Sequence, residues 1–266
     1  MSVSQMSSRI IAKAKALGAS LAGVARVDRL KVSPSHVLAP TMAPNTGVGA
    51  RESDKGLKPG EVAWPAKAES AVVIAVAHPE DRPELDWWYG QKAPLGNRIL
   101  MDINRELAPW VEQTLGIVAY PLPYHIERGG IFLKDAAVLA GLGCIGRNNI
   151  LITPEYGPRI RLRAMLLEEK LDPTGPIDFD PCRDCGAPCR KACPQVAFGM
   201  QMFQPMDTGT TRLPGRDGMF SRAACNIQMQ SDVSDASGTR IDAQSGGTVP
   251  VIKYCRQCES ACPVGR

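Results

Sequence analysis

The last third of the chain sets the tightest limit on how it folds. Residues 176–266 hold eight of the nine cysteines, many turn residues and few bulky apolar side chains. A segment of about 90 residues with so little apolar material cannot close a core by itself and needs staples. The cysteines form two groups, Cys182-x2-Cys185-x3-Cys189-x3-Cys193-Pro194 and Cys255-x2-Cys258-x3-Cys262-Pro263, with Cys225 alone between them. Disulfides would require an oxidising compartment, for which the sequence carries no signal. Structural zinc favours paired CxxC knuckles or histidine ligands, and the three histidines, His36, His78 and His125, all lie upstream. Two [4Fe–4S] clusters fit the count and the spacing. Cysteines two apart on a tight loop reach one cubane, and a cysteine followed by proline crosses to the other cluster. That rule assigns Cys182, Cys185, Cys189 and Cys262 to a first cluster. Cys193, Cys225, Cys255 and Cys258 go to a second, and Cys144 is left over. One extra residue separates Cys185 from Cys189 relative to the usual bacterial spacing, and Gly186 and Pro188 are expected to absorb it in a wider turn.

The formal charge of +4 would suggest a polyanionic partner. Eight thiolates and two oxidised cores bring the loaded protein close to neutrality, so the charge is weak support for RNA binding. Arg159, Arg161 and Arg163 alternate, which on a strand places three guanidiniums on one face, and a solvated face is the favoured reading. The longest apolar run, residues 71–77, is far short of the roughly 20 that a membrane helix needs. The first 20 residues read as an amphipathic helix without an apolar signal core or a twin-arginine pair. A cytoplasmic location without membrane association is the default expectation.

Upstream of residue 175 the pattern is that of a mixed α/β region. Helices are expected over residues 5–17, 97–115 and 132–140, with Pro109 predicting a kink or break in the second. Strands are expected over 21–27, 71–77, 117–122, 150–153 and 161–167. Residues 31–67 are rich in Pro, Gly and Ser without periodicity, too long for an ordinary connection, and read as a functional or covering loop. The turn-rich stretch 171–176 marks a boundary, giving domains at 1–175 and 176–266.

Gly141-Leu142-Gly143-Cys144-Ile145-Gly146 fits the dinucleotide fingerprint G-x-G-x-x-G, and Glu168 follows at a fitting distance. The context is reversed, because a helix precedes the glycines and an extended segment follows them, whereas a Rossmann loop leaves a strand and opens a helix. Close approach to a different cofactor and a plain helix cap both stay open for this loop.

From residue 140 to 159 the chain reads AGLGCIGRNNILITPEYGPR, and two crossed ferredoxin groups follow, with Cys225 placed after Ser221-Arg222. This resembles the epoxyqueuosine reductases and reductive dehalogenases over nearly the whole chain. The resemblance implies an α/β (α+β, nitroreductase-like) domain that binds cobalamin and a C-terminal ferredoxin-like two-cluster domain that feeds electrons to it. It places Gly141, Gly143, Cys144, Gly146, Arg147 and Asn148 against the corrinoid, without a histidine as lower axial ligand. It also implies a proton donor upstream of the glycine loop, for which Tyr124, His125 and Glu127 are the candidates. Glu127 keeps a carboxylate at the reductases' aspartate position without the surrounding motif, and Tyr124 lies close to where the dehalogenases carry a tyrosine. The implied partners are a small electron donor such as ferredoxin or flavodoxin and, in the reductase branch, tRNA. An iron–sulfur oxidoreductase, specifically a cobalamin-dependent reductase, is the expected function. A ferredoxin-like carrier and a corrinoid-reducing activator are the alternatives.

Overall fold

The computed structural model describes residues 2–44, 46–90, 92–205, 212–236, 238–241 and 246–266. In chain order its elements are α1 (Val3–Ala16), β1 (Leu21–Arg26), α2 (Val27–Lys31), α3 (Pro34–Leu38), β2 (Ser70–Ala77), β3 (Trp88–Tyr89), α4 (Leu95–Leu115) and β4 (Ala119–Pro121). There follow α5 (Leu133–Leu139), β5 (Cys144–Ile145), β6 (Leu151–Ile152), β7 (Ile160–Leu167), α6 (Pro188–Lys191), α7 (Arg222–Ser234), β8 (Thr239–Ile241), β9 (Thr248–Ile252) and α8 (Gln257–Ser260).

The scaffold is a four-stranded sheet in the order β1-β2-β7-β4, antiparallel at every pairing. β2 is apolar at nearly every position because both of its faces are covered. Its pleat sends Val72, Ile74 and Val76 to one side, where they pack with Ile10 of α1 and Leu100, Ile103, Leu107 and Val111 of α4. Ala71, Val73 and Ala75 face the other side and pack with Leu30 of α2 and Ala136 and Ala137 of α5. The small residues on that side let α5 sit close: a Cβ at Gly23 of β1 would lie 2.2 Å from the Ala140 carbonyl oxygen.

Pro109 was expected to interrupt the second long helix, yet α4 runs unbroken through it. The proline lies on the exposed face together with Arg105, whose carbonyl loses its i+4 donor and can turn to water. The arginine stripe also departs from expectation. Arg159 is buried, and the Arg161 side chain keeps only 10% of its surface exposed because it is ion-paired. The segment that follows α2 is anchored by Asp135 of α5. This buried carboxylate accepts from Ser33 Oγ (2.8 Å), Ser35 N (2.7 Å) and Ser35 Oγ (2.8 Å).

Several contacts tie the cysteine-rich segment to the sheet region. Thr174 donates its N–H to the Val24 carbonyl (2.9 Å) and its hydroxyl to Ala140 (2.7 Å), so the turn-rich stretch is docked between β1 and the end of α5. Downstream, β9 pairs antiparallel with both β8 and the two-residue β3.

Candidate metal centres

The first cysteine group and the far cysteine converge. Cys182, Cys185, Cys189 and Cys262 line one cavity, with Arg147 as the one charged residue among its lining residues. The extra residue before Cys189 is absorbed by Ala187, which takes the left-handed conformation (φ 51°) and starts α6 with Pro188 at its first position. Gly186, expected to do this, is not among the residues with positive φ. The Asp180 carboxylate accepts from Cys182 N (3.1 Å) at the front of the loop, and Arg159 closes the back by donating to the carbonyls of Val264 (2.8 Å) and Gly265 (2.6 Å).

The second group converges as well. The Cys258 thiol is pushed up to about 12 by burial, then by the Glu259 carboxylate and by Cys225, Cys255 and Cys193. Cys225 is raised by burial too, with Cys193 and Cys255 among its neighbours. Cys225 sits in the first turn of α7, which Ser221 caps by accepting from Ala224 N (3.2 Å). The Cys255 N–H donates to Asp232 Oδ2 (2.6 Å), and Cys193 Sγ accepts from Ala197 N (3.3 Å). Thiols gathered this way resist ionisation unless a cationic centre among them reverses the electrostatics. Among the described residues no three His, Cys, Asp or Glu side chains gather closely enough for a single metal ion.

Cys144 stands outside both sets. Its Sγ accepts from Arg216 Nη2 (3.4 Å), burial pushes the thiol up to about 11, and it packs beside Cys182 without lining the cavity. Alanine at position 144 is expected to leave the iron content unchanged, measured by metal analysis of protein purified anaerobically. A fall by half would make Cys144 a ligand.

The glycine loop, expected to face a cofactor, faces its own chain. A Cβ at Gly141 would meet the Thr174 carbonyl oxygen at 2.6 Å, at Gly143 the Ile152 carbonyl oxygen at 2.0 Å, and at Gly146 Ile152 Cδ1 at 2.3 Å. The glycines therefore let α5, the docked 174–175 turn and the β5–β6 hairpin approach one another. The two residues after them reach toward the cysteines. Arg147 donates to the carbonyls of Cys185 (3.0 Å) and Arg183 (3.4 Å), and the buried Asn148 donates to that of Cys258 (3.4 Å).

The three donor candidates share one turn, residues 123–130. Tyr124 is 45% exposed, with its ring edge-on to His125 at 5.3 Å. Burial lowers the His125 pKa, helped by Arg51 and opposed by Glu127, so the ring is neutral at pH 7. Behind Tyr124 lie Arg161 and Arg163, the latter donating to the Leu122 carbonyl (3.0 Å) while its buried Nε has no partner. Arg51 acts on both His125 and Tyr254, the residue before Cys255, so this face adjoins the second cysteine group.

No protein-family model matches the chain. It is 27% identical over 265 residues to the tetrachloroethene reductive dehalogenase of Sulfurospirillum multivorans, covering 94% of this chain and 48% of that protein. It is 24% identical over 276 residues to the epoxyqueuosine reductase of Bacillus subtilis strain 168, covering 100% of this chain and 65% of that protein. Its homologues are epoxyqueuosine reductases and reductive dehalogenases. Solved structures of both kinds share its mixed α/β fold. An epoxyqueuosine reductase holding a tRNA-Tyr epoxyqueuosine-modified stem loop superposes with TM-score 0.60 at 20% identity, covering 99% of this chain and 66% of that one. A reductive dehalogenase whose structure suggests a B12-dependent mechanism gives 0.61 at 20% identity, covering 100% and 32%. The chain thus spans about half of the dehalogenase and two thirds of the epoxyqueuosine reductase that it matches in sequence.

Sequence reasoning missed an ionic network that joins the sheet region to the second cysteine loop. Asp86 is bonded through its two carboxylate oxygens to Arg161 and Arg256, Arg256 also reaches Glu259 (3.0 Å), and His78 Nδ1 lies 3.5 Å from Glu259. Burial lowers His78 to about 4 and raises Glu259 to about 7. Arg161 was the visible member of this network, and its carboxylate partner Asp86 sits too far along the chain to be paired by inspection.

Proposed function

We propose that the chain is an iron–sulfur oxidoreductase of the kind its homologues represent, with two [4Fe–4S] clusters on the eight cysteines and a boundary near residue 175. One observation carries the reading: the eight thiols gather in two sets of four, and the first set takes its last member, Cys262, from the distant second group. The donor set is all sulfur, four per site, as a cubane requires. When bound, such clusters supply electrons one at a time.

The chain's own residues supply protons beside the second set. The exposed Tyr124 phenol is placed to donate, and Arg161 and Arg163 stand where a positive charge meets the phenolate that donation leaves. The neutral His125 and half-buried Glu127 flank it as further proton carriers.

A corrinoid as electron acceptor comes from the relatives, one of which is a B12-dependent dehalogenase. The glycines at 141, 143 and 146 do not form an open cradle for it, since the chain's own backbone and Ile152 occupy their free faces. Among substrates, a tRNA is the class bound by a solved epoxyqueuosine reductase, and a small soluble redox protein is the electron donor in this reading.

The test is a visible spectrum with iron and sulfide analysis of protein purified anaerobically, before and after adding cobalamin. About eight irons and eight sulfides per chain are expected. Zinc without sulfide would overturn the reading. Clusters with no cobalamin binding at tens of micromolar would leave a ferredoxin-like carrier, and cobalamin binding without turnover of any small substrate would favour a corrinoid-reducing activator.

A further inference from the structure

The two thiol sets differ in the charges around them. Carboxylates attend the second: Asp232 accepts from the Cys255 N–H, and Glu259 follows Cys258 directly and weighs on its thiol. The cations there are largely matched, because Arg256 is held by Asp86 and Glu259. Arg222 donates to the Val48 carbonyl (2.8 Å) and lies near Cys225.

Around the first set the one carboxylate on a cysteine N–H, Asp180 at Cys182, is matched by a cation. Arg216 is paired with Asp180 at 2.6 Å, and Arg159 faces Glu80 only at 3.9 Å across an exposed carboxylate. Arg147 differs from both, because it lines the cavity itself and, among the described residues, has no carboxylate within ion-pair distance. Its guanidinium is spent on two carbonyls of the cysteine loop, Cys185 and Arg183, while its own carbonyl accepts from Arg190 Nε at 2.9 Å. A fixed, half-buried positive charge in the wall of a redox centre favours the state with one more electron.

We propose that Arg147 is a positioning and tuning residue of the first cluster, holding its cysteine loop and keeping it easier to reduce than it would otherwise be. The glycine loop that looked like a cofactor cradle thus delivers a cation to an iron–sulfur site. The inference rests on reading the cysteine groups as cluster sites.

The experiment is a mediated dithionite titration of the full chain followed by electron paramagnetic resonance, with Cys262→Ala used to identify the first cluster's signal. In Arg147→Gln, with iron and sulfide unchanged, the first cluster should become at least tenfold harder to reduce. That is about 59 mV for one electron. The second midpoint should not move. Arg147→Lys retains the charge and should shift by less than tenfold. Unmoved midpoints in a fully loaded Arg147→Gln protein would overturn the inference, as would a shift confined to the second cluster. Should Arg147→Gln fail to load, Arg147→Lys decides: a near-native midpoint supports a role of the charge, and a loaded cluster tenfold harder to reduce contradicts it. Wild-type protein that assembles no clusters would instead sink the underlying reading.

Discussion

Replacing Cys262 with alanine is expected to remove about half of the bound iron and sulfide, and the half that goes is the cluster held by the distant first cysteine group. Cys262 is buried in the cavity that it shares with Cys182, Cys185 and Cys189, although more than seventy residues separate it from Cys189 along the chain. Its partners in sequence, Cys255 and Cys258, face Cys193 and Cys225 instead. Because metal binding contributes directly to folding in so thinly apolar a segment, loss of this ligand should also loosen residues 176–193. Iron and sulfide analysis with electron paramagnetic resonance of the reduced protein checks both points. Loss confined to the signal that also vanishes in Cys255→Ala would refute the crossed assignment.

What the sequence showed and what it hid follow from the range of the interactions. Cysteine spacing is local, so the grouping of Cys262 with Cys182, Cys185 and Cys189, which line one cavity, could be read without coordinates. The continuous apolar run of β2 and the stripe of α4 were legible for the same reason. Pro109 does not end α4, because a proline inside a helix can be carried where the carbonyl it frees faces water. Arg161 of β7 was visible as one of the alternating arginines, but its burial depends on Asp86, which adjoins it only in the folded chain. The glycine loop was legible only in part. Its glycines are required, but by the close approach of Thr174, Gly175 and Ile152, and sequence alone cannot tell a backbone neighbour from a cofactor. The β3–β9 pairing, with only two residues on one side, carries no periodicity to detect.

The largest stability effect outside the cysteines is expected at Asp86. Its side chain is buried in a short 3-10 turn, and its two oxygens are bonded to Arg161 of β7 and to Arg256 beside Cys255. Burial works against the Arg256 guanidinium, yet Glu259 and Asp86 hold its pKa well above the ordinary value, so it stays charged in the fold. Arg161 has Asn97 Oδ1 at 3.1 Å as its other side-chain partner, and a neutral amide does not replace a carboxylate. Asp86→Ala would therefore leave the buried Arg161 without a carboxylate, while the more exposed Arg256 keeps Glu259, and breaking one such buried pair typically costs about 3–5 kcal/mol. Denaturant unfolding of the cluster-loaded protein should show that loss as a lower midpoint with an unchanged slope. Adding Arg161→Met to Asp86→Ala should recover part of it, because the stranded charge is then replaced by an apolar chain of similar length. A cost below about 1 kcal/mol in the single variant, within the range of exposed pairs, would mean that water reaches this network and that it does not clamp the second cysteine loop to the sheet.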